Sequence, residues 1–158
     1  MVETTLQRQV SIIPTACTQT ESCVLDCNIL KAWEKLSCFK LNELAPTAVA
    51  TVEWTEGESG KIGSCAKVTY KDGANWTLRF TEFSEKHHRV CYELMSAEPV
   101  VNCTSVQGTM ELLRVTDGDK TFLSWNTEFS NDADLCIIED QKLKKREAFA
   151  EFKSTLSA

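Results

Sequence analysis

Alternation of apolar and polar residues dominates the middle of the chain. Apolar side chains occupy every second position from residue 48 to residue 54, and the same period of two returns in five further segments: residues 66–70, 76–80, 90–94, 106–112 and 123–129. A period of two places successive side chains on opposite faces of a strand. The pattern therefore predicts six consecutive β-strands that share one apolar face.

Short turns separate these predicted strands. Lys71-Asp72-Gly73 and Asp117-Gly118 are typical of hairpin turns, because glycine tolerates the positive φ that such turns require. Residues 85–88 form a further predicted turn, and Pro99 lies in a longer connection. Tight turns join antiparallel neighbours, so we expect one antiparallel sheet.

Two short helices are expected before this run of strands. An apolar segment at residues 22–26 predicts a strand, after which apolar residues recur at helical spacing, at Ile29, Ala32, Trp33 and Leu36. Asp26 or Asn28 can cap this helix by accepting a hydrogen bond from a free backbone N–H. Residues 41–45 predict a second short helix that Pro46 ends.

A long helix is predicted at the C-terminal end, over residues 131–156. Asn131 or Asp132 can cap it, and its expected buried stripe is Leu135, Ile138, Phe149, Phe152 and Leu156. The middle of this helix is polar and carries a basic cluster that acidic residues flank on both sides: Lys142, Lys144, Lys145 and Arg146. We interpret the cluster as a solvated helix face.

The order of elements indicates an α+β fold with the long helix on one face of the sheet. The 158 residues suit a single domain, which we assign to residues 22–158. Residues 1–21 are expected to form an N-terminal extension that includes a possible extra strand at residues 6–13.

Charge and hydropathy exclude several classes of protein. The net charge of −6 disfavours nucleic-acid binding, which normally needs a basic face. No apolar run approaches the roughly 20 residues of a membrane span, so we expect no stable membrane insertion. The first ten residues lack the apolar centre of a signal peptide, and we expect a cytoplasmic protein.

Eight cysteines are present, and most fall inside predicted strands or helices. In a reducing compartment they are expected to be small buried hydrophobes. Cys23 and Cys27 have a spacing that a zinc site can use, but no second close Cys or His pair completes a tetrahedral set. We therefore predict no metal site and no cofactor.

Three segments together resemble proteins of the START-like (SRPBCC) superfamily, which includes polyketide cyclase/dehydrase-type proteins and the Bet v 1-like birch-pollen allergens. The segments are Val24-Leu25-Asp26 followed by Ile29, Ala32 and Trp33; residues 81–93, which end in Val90-Cys91-Tyr92-Glu93; and Val115-Thr116-Asp117-Gly118 followed by Thr121-Phe122-Leu123-Ser124-Trp125. The resemblance implies a helix-grip fold, in which a curved antiparallel sheet wraps around the long C-terminal helix. It also implies a deep cavity between them for a small hydrophobic molecule such as a lipid or polyketide.

The inward faces of the predicted strands and helix supply the residues expected to line that cavity. They are Trp54, Val68, Tyr70, Trp76, Leu78, Phe80, Tyr92, Met110, Leu112, Trp125, Phe149 and Phe152. A lining of this kind suits an apolar or aromatic ligand. The alternative is that these residues pack a closed core. The resemblance also places the loops at residues 70–75 and 96–102 at the cavity mouth, where we expect a mobile lid.

No catalytic residue is assigned. The resemblance places the carboxylate of synthase-type relatives at Leu78 or Thr77, and neither residue can transfer a proton. Glu82 and Glu93 are expected to point outward, and the His87-His88 pair is expected in an exposed turn. The favoured function is a carrier or sensor of a small hydrophobic molecule. A cyclase/dehydrase-like enzyme and a protein-interaction domain with a closed cavity are the alternatives, and the oligomeric state is left open.

Overall fold

A computed structural model of the chain describes residues 16–157, and these form seven β-strands and three α-helices. In chain order they are β1 (Thr18–Leu25), α1 (Ile29–Leu36), α2 (Leu41–Leu44), β2 (Val49–Glu56), β3 (Cys65–Tyr70), β4 (Asn75–Ser84), β5 (Arg89–Glu98), β6 (Val106–Val115), β7 (Lys120–Phe129) and α3 (Leu135–Leu156). The predicted α+β class and order of elements are confirmed.

All seven strands belong to one antiparallel sheet, in the order β1-β7-β6-β5-β4-β3-β2. Register shifts interrupt the pairing of β2 with β3 between Val49 and Thr51, and that of β4 with β5 between Phe80 and Glu82. Such bulges bend a strand and increase its twist. The sheet is accordingly curved, and α3 packs against its concave side next to β1 and α2. The helix-grip architecture is confirmed.

The first strand begins earlier than the pattern predicts. It starts at Thr18 rather than at residue 22, and it pairs with β7 from Thr18 opposite Glu128 to Leu25 opposite Thr121. Residues 18–21 show no apolar alternation. The inward-facing residue among them is Gln19, which is buried and accepts a hydrogen bond from Lys145 of α3. These four residues therefore belong to the sheet. The strand predicted at residues 6–13 lies outside the described residues.

Side-chain caps set the start of both long helical segments. Asn28 Oδ1 accepts a hydrogen bond from the Leu30 amide at 2.8 Å, which confirms one of the two predicted caps of α1. Helix α3 begins at Leu135 because Asp134 accepts from the Ile137 amide at 3.0 Å. The predicted caps at Asn131 and Asp132 are wrong. Asp132 instead accepts hydrogen bonds from the amide and hydroxyl of Thr104.

Three aromatic residues fill the middle of the concave face, and we call them the aromatic plug: Phe39, Phe80 and Tyr92. Phe39 lies between α1 and α2, is fully buried, and places its ring centroid 4.7 Å from that of Phe80 and 5.9 Å from that of Tyr92. The periodicity of the sequence gives Phe39 no role, because this residue follows the last helical position of α1. Its ring occupies volume that the resemblance assigned to a deep cavity.

Tyr92 can take its place in the plug only because its cross-strand partner is a glycine. A Cβ atom on Gly108 would lie 2.1 Å from Tyr92 Cζ. The Tyr92 hydroxyl accepts a hydrogen bond from Trp125 Nε1 at 2.9 Å. Burial raises the pKa of Tyr92 to about 12, partly offset by this hydrogen bond.

We predict that Gly108→Ala lowers the free energy of unfolding by about 1–3 kcal/mol, because the added methyl group overpacks the core against the Tyr92 ring. Urea denaturation followed by tryptophan fluorescence measures the change. Gln107→Ala, at the exposed neighbouring position of β6, is the matched control and should change stability by no more than about 0.5 kcal/mol. Equal stability of the two variants would contradict the close approach.

Candidate functional site

A cavity of about 210 Å³ remains at one end of the concave face, between α3, the connection from α2 to β2, and the end of β3. Its apolar wall consists of Leu41, Ala45, Ala48, Val49, Trp125, Ala148 and Phe152. An engineered apolar cavity of about 150 Å³ holds benzene, whereas drug-sized ligands occupy about 300 Å³ or more. The cavity therefore has room for one ring with a short side chain.

Small residues keep this space open. Ala45 is fully buried and Ala148 is 7% exposed, and both present only a methyl group to the cavity. The facing end of α3 is fixed by Glu151, which accepts hydrogen bonds from the amides of Thr47 at 2.6 Å and Ala48 at 3.2 Å. The α2–β2 connection and α3 are thus held at a set separation, and the space between them is not closed by a larger side chain.

A second, more open pocket of about 370 Å³ adjoins the cavity and shares Asp72, Gln141 and Lys144 with it. Its other walls come from the β3–β4 turn, residues 99–102 and the first turns of α3. Together the two pockets form a path from the cavity to the surface. The two predicted mouth loops do border this path, and their mobility stays a prediction.

Lys144 lines both pockets, and the Tyr70 ring beside it lines the cavity. Lys144 Nζ lies 5.1 Å from the centroid of the Tyr70 ring and 3.2 Å from Asp140 Oδ2. A cation over an aromatic face is favourable, so Lys144 is not a freely solvated side chain. Burial raises the pKa of the Tyr70 phenol well above its usual range, which keeps the hydroxyl protonated as a hydrogen-bond donor.

The basic cluster of α3 is not a solvated face, because Lys145 is 1% exposed. Its Nζ donates hydrogen bonds to Gln19 Oε1 at 2.7 Å, to the Gln19 carbonyl at 3.1 Å and to the Trp125 carbonyl at 3.3 Å. These contacts join α3 to β1 and β7. Burial lowers the pKa of Lys145 to about 8, and Glu21 partly opposes this shift.

Gln141 is a second buried polar residue of α3. It is 7% exposed and lines both pockets, and its side-chain amide makes no hydrogen bond to any residue between 16 and 157. It lies four positions before Lys145, which places the two side chains on the same helix face. Its amide group is therefore free to form hydrogen bonds with a molecule in the cavity.

The twelve residues predicted to bind a ligand share the concave side of the sheet but do not form one lining. Tyr70, Trp125 and Phe152 line the cavity, and Trp76 lines the adjoining pocket. Tyr92 belongs to the aromatic plug. The remaining seven pack within the hydrophobic core or against it: Trp54, Val68, Leu78, Phe80, Met110, Leu112 and Phe149.

The sequence pattern missed most of the actual cavity wall. Ala45 and Ala148 could not be recognised from the pattern, because a small side chain contributes to a cavity only by leaving volume unfilled. Val49 was assigned to the outward set of β2, but it is buried because the bulge before Thr51 shifts the alternation. Lys145 was interpreted as part of a solvated helix face, and Gln141 was not considered as a site residue. Their spacing from Ala148 and Phe152 could have marked one helical face.

The residues considered for catalysis lie away from the cavity. Glu82 and Glu93 point outward, as predicted, and form ion pairs with Arg89 at 3.5 Å and with Arg79. His88 lies in the predicted turn, with its ring centroid 5.3 Å from that of Trp33. Within residues 16–157 no group of three or more His, Cys, Asp or Glu side chains is placed to hold a metal ion.

All eight cysteines are unpaired thiols. Only Cys27 and Cys65 are buried, Cys136 is exposed, and the other five are half-buried. The expectation that they are uniformly small buried hydrophobes is therefore wrong. Several occupy sheet positions with one side open to solvent. In the described part of the chain, no helix is long and apolar enough to cross a membrane.

Comparisons with known proteins identify the fold. No protein-family profile matches the chain, and no curated protein matches it in sequence. A structural-genomics protein from Nitrosospira multiformis matches with a TM-score of 0.77 and 19% identity, over 89% of this chain and 97% of that chain. Ara h 8.0201 matches with a TM-score of 0.72 and 21% identity, over 89% of this chain and 98% of that chain.

Major latex-like protein 151 from Panax ginseng gives a TM-score of 0.69 and 14% identity, over 90% of this chain and all of that chain. The neighbours thus include Bet v 1-like proteins, and the resemblance to the START-like fold is confirmed. At these identities the comparisons establish the fold, and the ligand has to be argued from the site.

Titration of Lys145 generates a prediction about stability. The ordinary pKa of this lysine is 10.5, and it falls to about 8 in the folded protein. Between about pH 8 and pH 10 the unfolded chain therefore binds a proton that the folded protein does not, so the lysine's contribution to the free energy of unfolding rises with pH.

Cys23, Tyr70 and Tyr92 have pKa values raised by desolvation, and their titration acts in the opposite direction. The wild type must therefore be compared with Lys145→Met, in which those groups are unchanged. We expect the difference in free energy of unfolding, wild type minus variant, to increase from about pH 8 to pH 10. Urea denaturation under reducing conditions measures it, and a difference that does not vary with pH would contradict the assignment.

Proposed function

We propose that the protein binds a small hydrophobic molecule in the cavity beneath α3, as a carrier or sensor. The observation that carries the proposal is the apolar void of about 210 Å³ kept open by Ala45 and Ala148 inside an otherwise filled fold. An engineered apolar cavity of about 150 Å³ takes up apolar guests such as benzene and xenon. The resemblance to helix-grip proteins, which implies hydrophobic ligands, supports the same conclusion.

The size of the cavity restricts the ligand to roughly one ring with a short side chain. Burying about 200 Å² of apolar ligand surface contributes about 5 kcal/mol. A free energy of that size corresponds to a dissociation constant of about 0.2 mM, before specific polar contacts are added. A lipid with long acyl chains does not fit without displacement of the aromatic plug. We therefore favour a small aromatic or branched aliphatic molecule.

A carrier or sensor role requires no reaction at the site. Asp72 and Glu147, the carboxylates on the cavity wall, are exposed at its rim. Neither is placed deep in the apolar part, where burial would prepare a carboxyl group for proton transfer. A cytoplasmic location, which eight unpaired thiols suit, is part of this proposal. So is the assignment of residues 22–158 as the binding domain, with residues 18–21 added to it.

The aromatic plug favours a second candidate, a protein-interaction domain whose cavity is closed. Phe39, Phe80 and Tyr92 already fill the middle of the concave face, and Phe39 and Phe80 are fully buried. Under this alternative the remaining void is a packing defect without a ligand. The two candidates differ in whether the void binds an apolar molecule.

A cavity-filling substitution separates these candidates. We expect Ala148→Phe to weaken the binding of hydrocinnamyl alcohol, a neutral single-ring probe, by about tenfold or more, because the new ring occupies the space of the ligand. Amide chemical-shift titration measures the affinity. Ala150→Phe, on the exposed face of the same helix, is the matched control and should bind like the wild type.

Failure of the wild type to bind this probe, or equal binding by both variants, would contradict the proposed site. Stabilisation of the protein by Ala148→Phe in the absence of any wild-type binding would favour the closed interaction domain, since filling a ligand-free void improves packing.

A further inference from the structure

A buried positive charge without a counter-ion lies beside the cavity. Lys145 is 1% exposed, and among residues 16–157 no carboxylate oxygen lies within ion-pairing distance of its Nζ. All three of its hydrogen-bond acceptors are uncharged carbonyl oxygens. The nearest acidic influence is Glu21, which pairs with Arg146 at 3.4 Å. The hydrogen bonds of the ammonium group are satisfied, and its Nζ also lies 5.8 Å from the centroid of the Trp125 ring. An aromatic face stabilises a cation but does not neutralise it.

An unbalanced buried charge is unfavourable, and proteins rarely keep one unless it is paired or coordinates something. Carbonyl oxygens accept the hydrogen bonds of the ammonium group, but they carry only a partial negative charge. A methionine in the same place would avoid this cost, and an anion beside the lysine would offset it. The shape of the fold suggests where the opposite charge would come from, because Lys145 forms part of the cavity wall.

A second observation concerns the same end of the cavity. Gln141, one helical turn before Lys145, is buried and its side-chain amide has no hydrogen-bond partner between residues 16 and 157. Across the cavity, the Tyr70 hydroxyl makes no hydrogen bond within that part of the chain. The N–H donors of Gln141 and the O–H donor of the half-buried Tyr70 thus line the same cavity as the buried cation Lys145. This set of donors is complementary to an anion with two oxygen atoms.

The charged residues of the cavity wall differ in whether they lie at the rim of the cavity or in its interior. Lys71, Asp72 and Glu147 are exposed at the rim, where solvent screens them. Among the described charged residues of the wall, Lys145 is the buried one, whereas Lys144 is half-buried and has Asp140 as a partner at 3.2 Å. The interior therefore carries one uncompensated positive charge, which matches a monoanion.

We infer that the ligand is a small apolar carboxylic acid in its ionised form, with its carboxylate bound by Gln141, Tyr70 and Lys145 and its apolar part against Ala45, Ala148 and Phe152. The inference rests on the proposed function and specifies its ligand class. Binding requires that the Gln19 side chain release its hydrogen bond with Lys145. Its side-chain oxygen accepts from Lys145 in the free protein, and the ligand carboxylate replaces it as the acceptor.

The test compares hydrocinnamate with hydrocinnamamide, which has nearly the same shape and no charge. At neutral pH and low salt the wild type should bind the acid about tenfold or more tightly than the amide, because hydrogen bonds to a charged group are stronger. Lys145→Met should reduce this preference to about twofold or less and still bind the amide. Lys142→Met, on the same helix but outside both pockets, is the matched control and should keep the wild-type preference.

Gln141→Leu provides an independent variant, since it leaves the three hydrogen bonds of Lys145 in place. It should lower affinity for the acid by about threefold or more and affect the amide less. If Lys145→Met does not fold, the wild-type preference and this variant decide the question. Both have the expected values only if a carboxylate is recognised.

Two negative results are distinguishable. The wild type could bind the acid and the amide equally, with Ala148→Phe weakening the binding of both. That result would overturn the carboxylate inference and leave the hydrophobic binding site intact. Absence of binding by either compound and by hydrocinnamyl alcohol would overturn both proposals. A preference for the acid that Lys145→Met does not change would also overturn the inference.

Discussion

One helix cannot fill the concave side of a curved seven-stranded sheet, and every other feature of this protein depends on how the remaining volume is divided. Phe39 enters from the connection between α1 and α2 and, with Phe80 and Tyr92, fills the middle. At the end near α2, the wall contains Ala45 and Ala148 rather than large side chains, and a void of about 210 Å³ remains. The fold thus combines a solid aromatic core with a small binding-sized space. The deep cavity implied by the resemblance is present only in part.

The same side chain that fastens α3 to the sheet also gives the void its electrostatic character. Lys145 joins the helix to β1 and β7 through three carbonyl oxygens, and it also forms part of the cavity wall. Burial disfavours its charge, and a ligand carboxylate would relieve that penalty. Structure and recognition are therefore coupled, because the group that holds α3 in position is also the group that selects an anion.

The sequence predicted those features that depend on local periodicity. The strands, α1 and the helix-grip order follow from periods of 2 and 3.6 and from turn residues. Features that depend on tertiary partners could not be predicted in this way. Lys145 lies in a polar helical segment, and its burial depends on Gln19, which belongs to a part of β1 without apolar alternation. Phe39 follows the end of a helix. The β2 bulge changed which of its residues face inward.

The central claim is that an apolar void exists beneath α3 between Ala45, Ala148 and Phe152. X-ray diffraction from a crystal of the wild-type protein under xenon pressure tests it most directly, because xenon occupies apolar cavities and scatters strongly. We expect a xenon atom in contact with these three side chains and an unchanged aromatic plug. A crystal in which this space is filled by the protein's own side chains, with no xenon there, would contradict it.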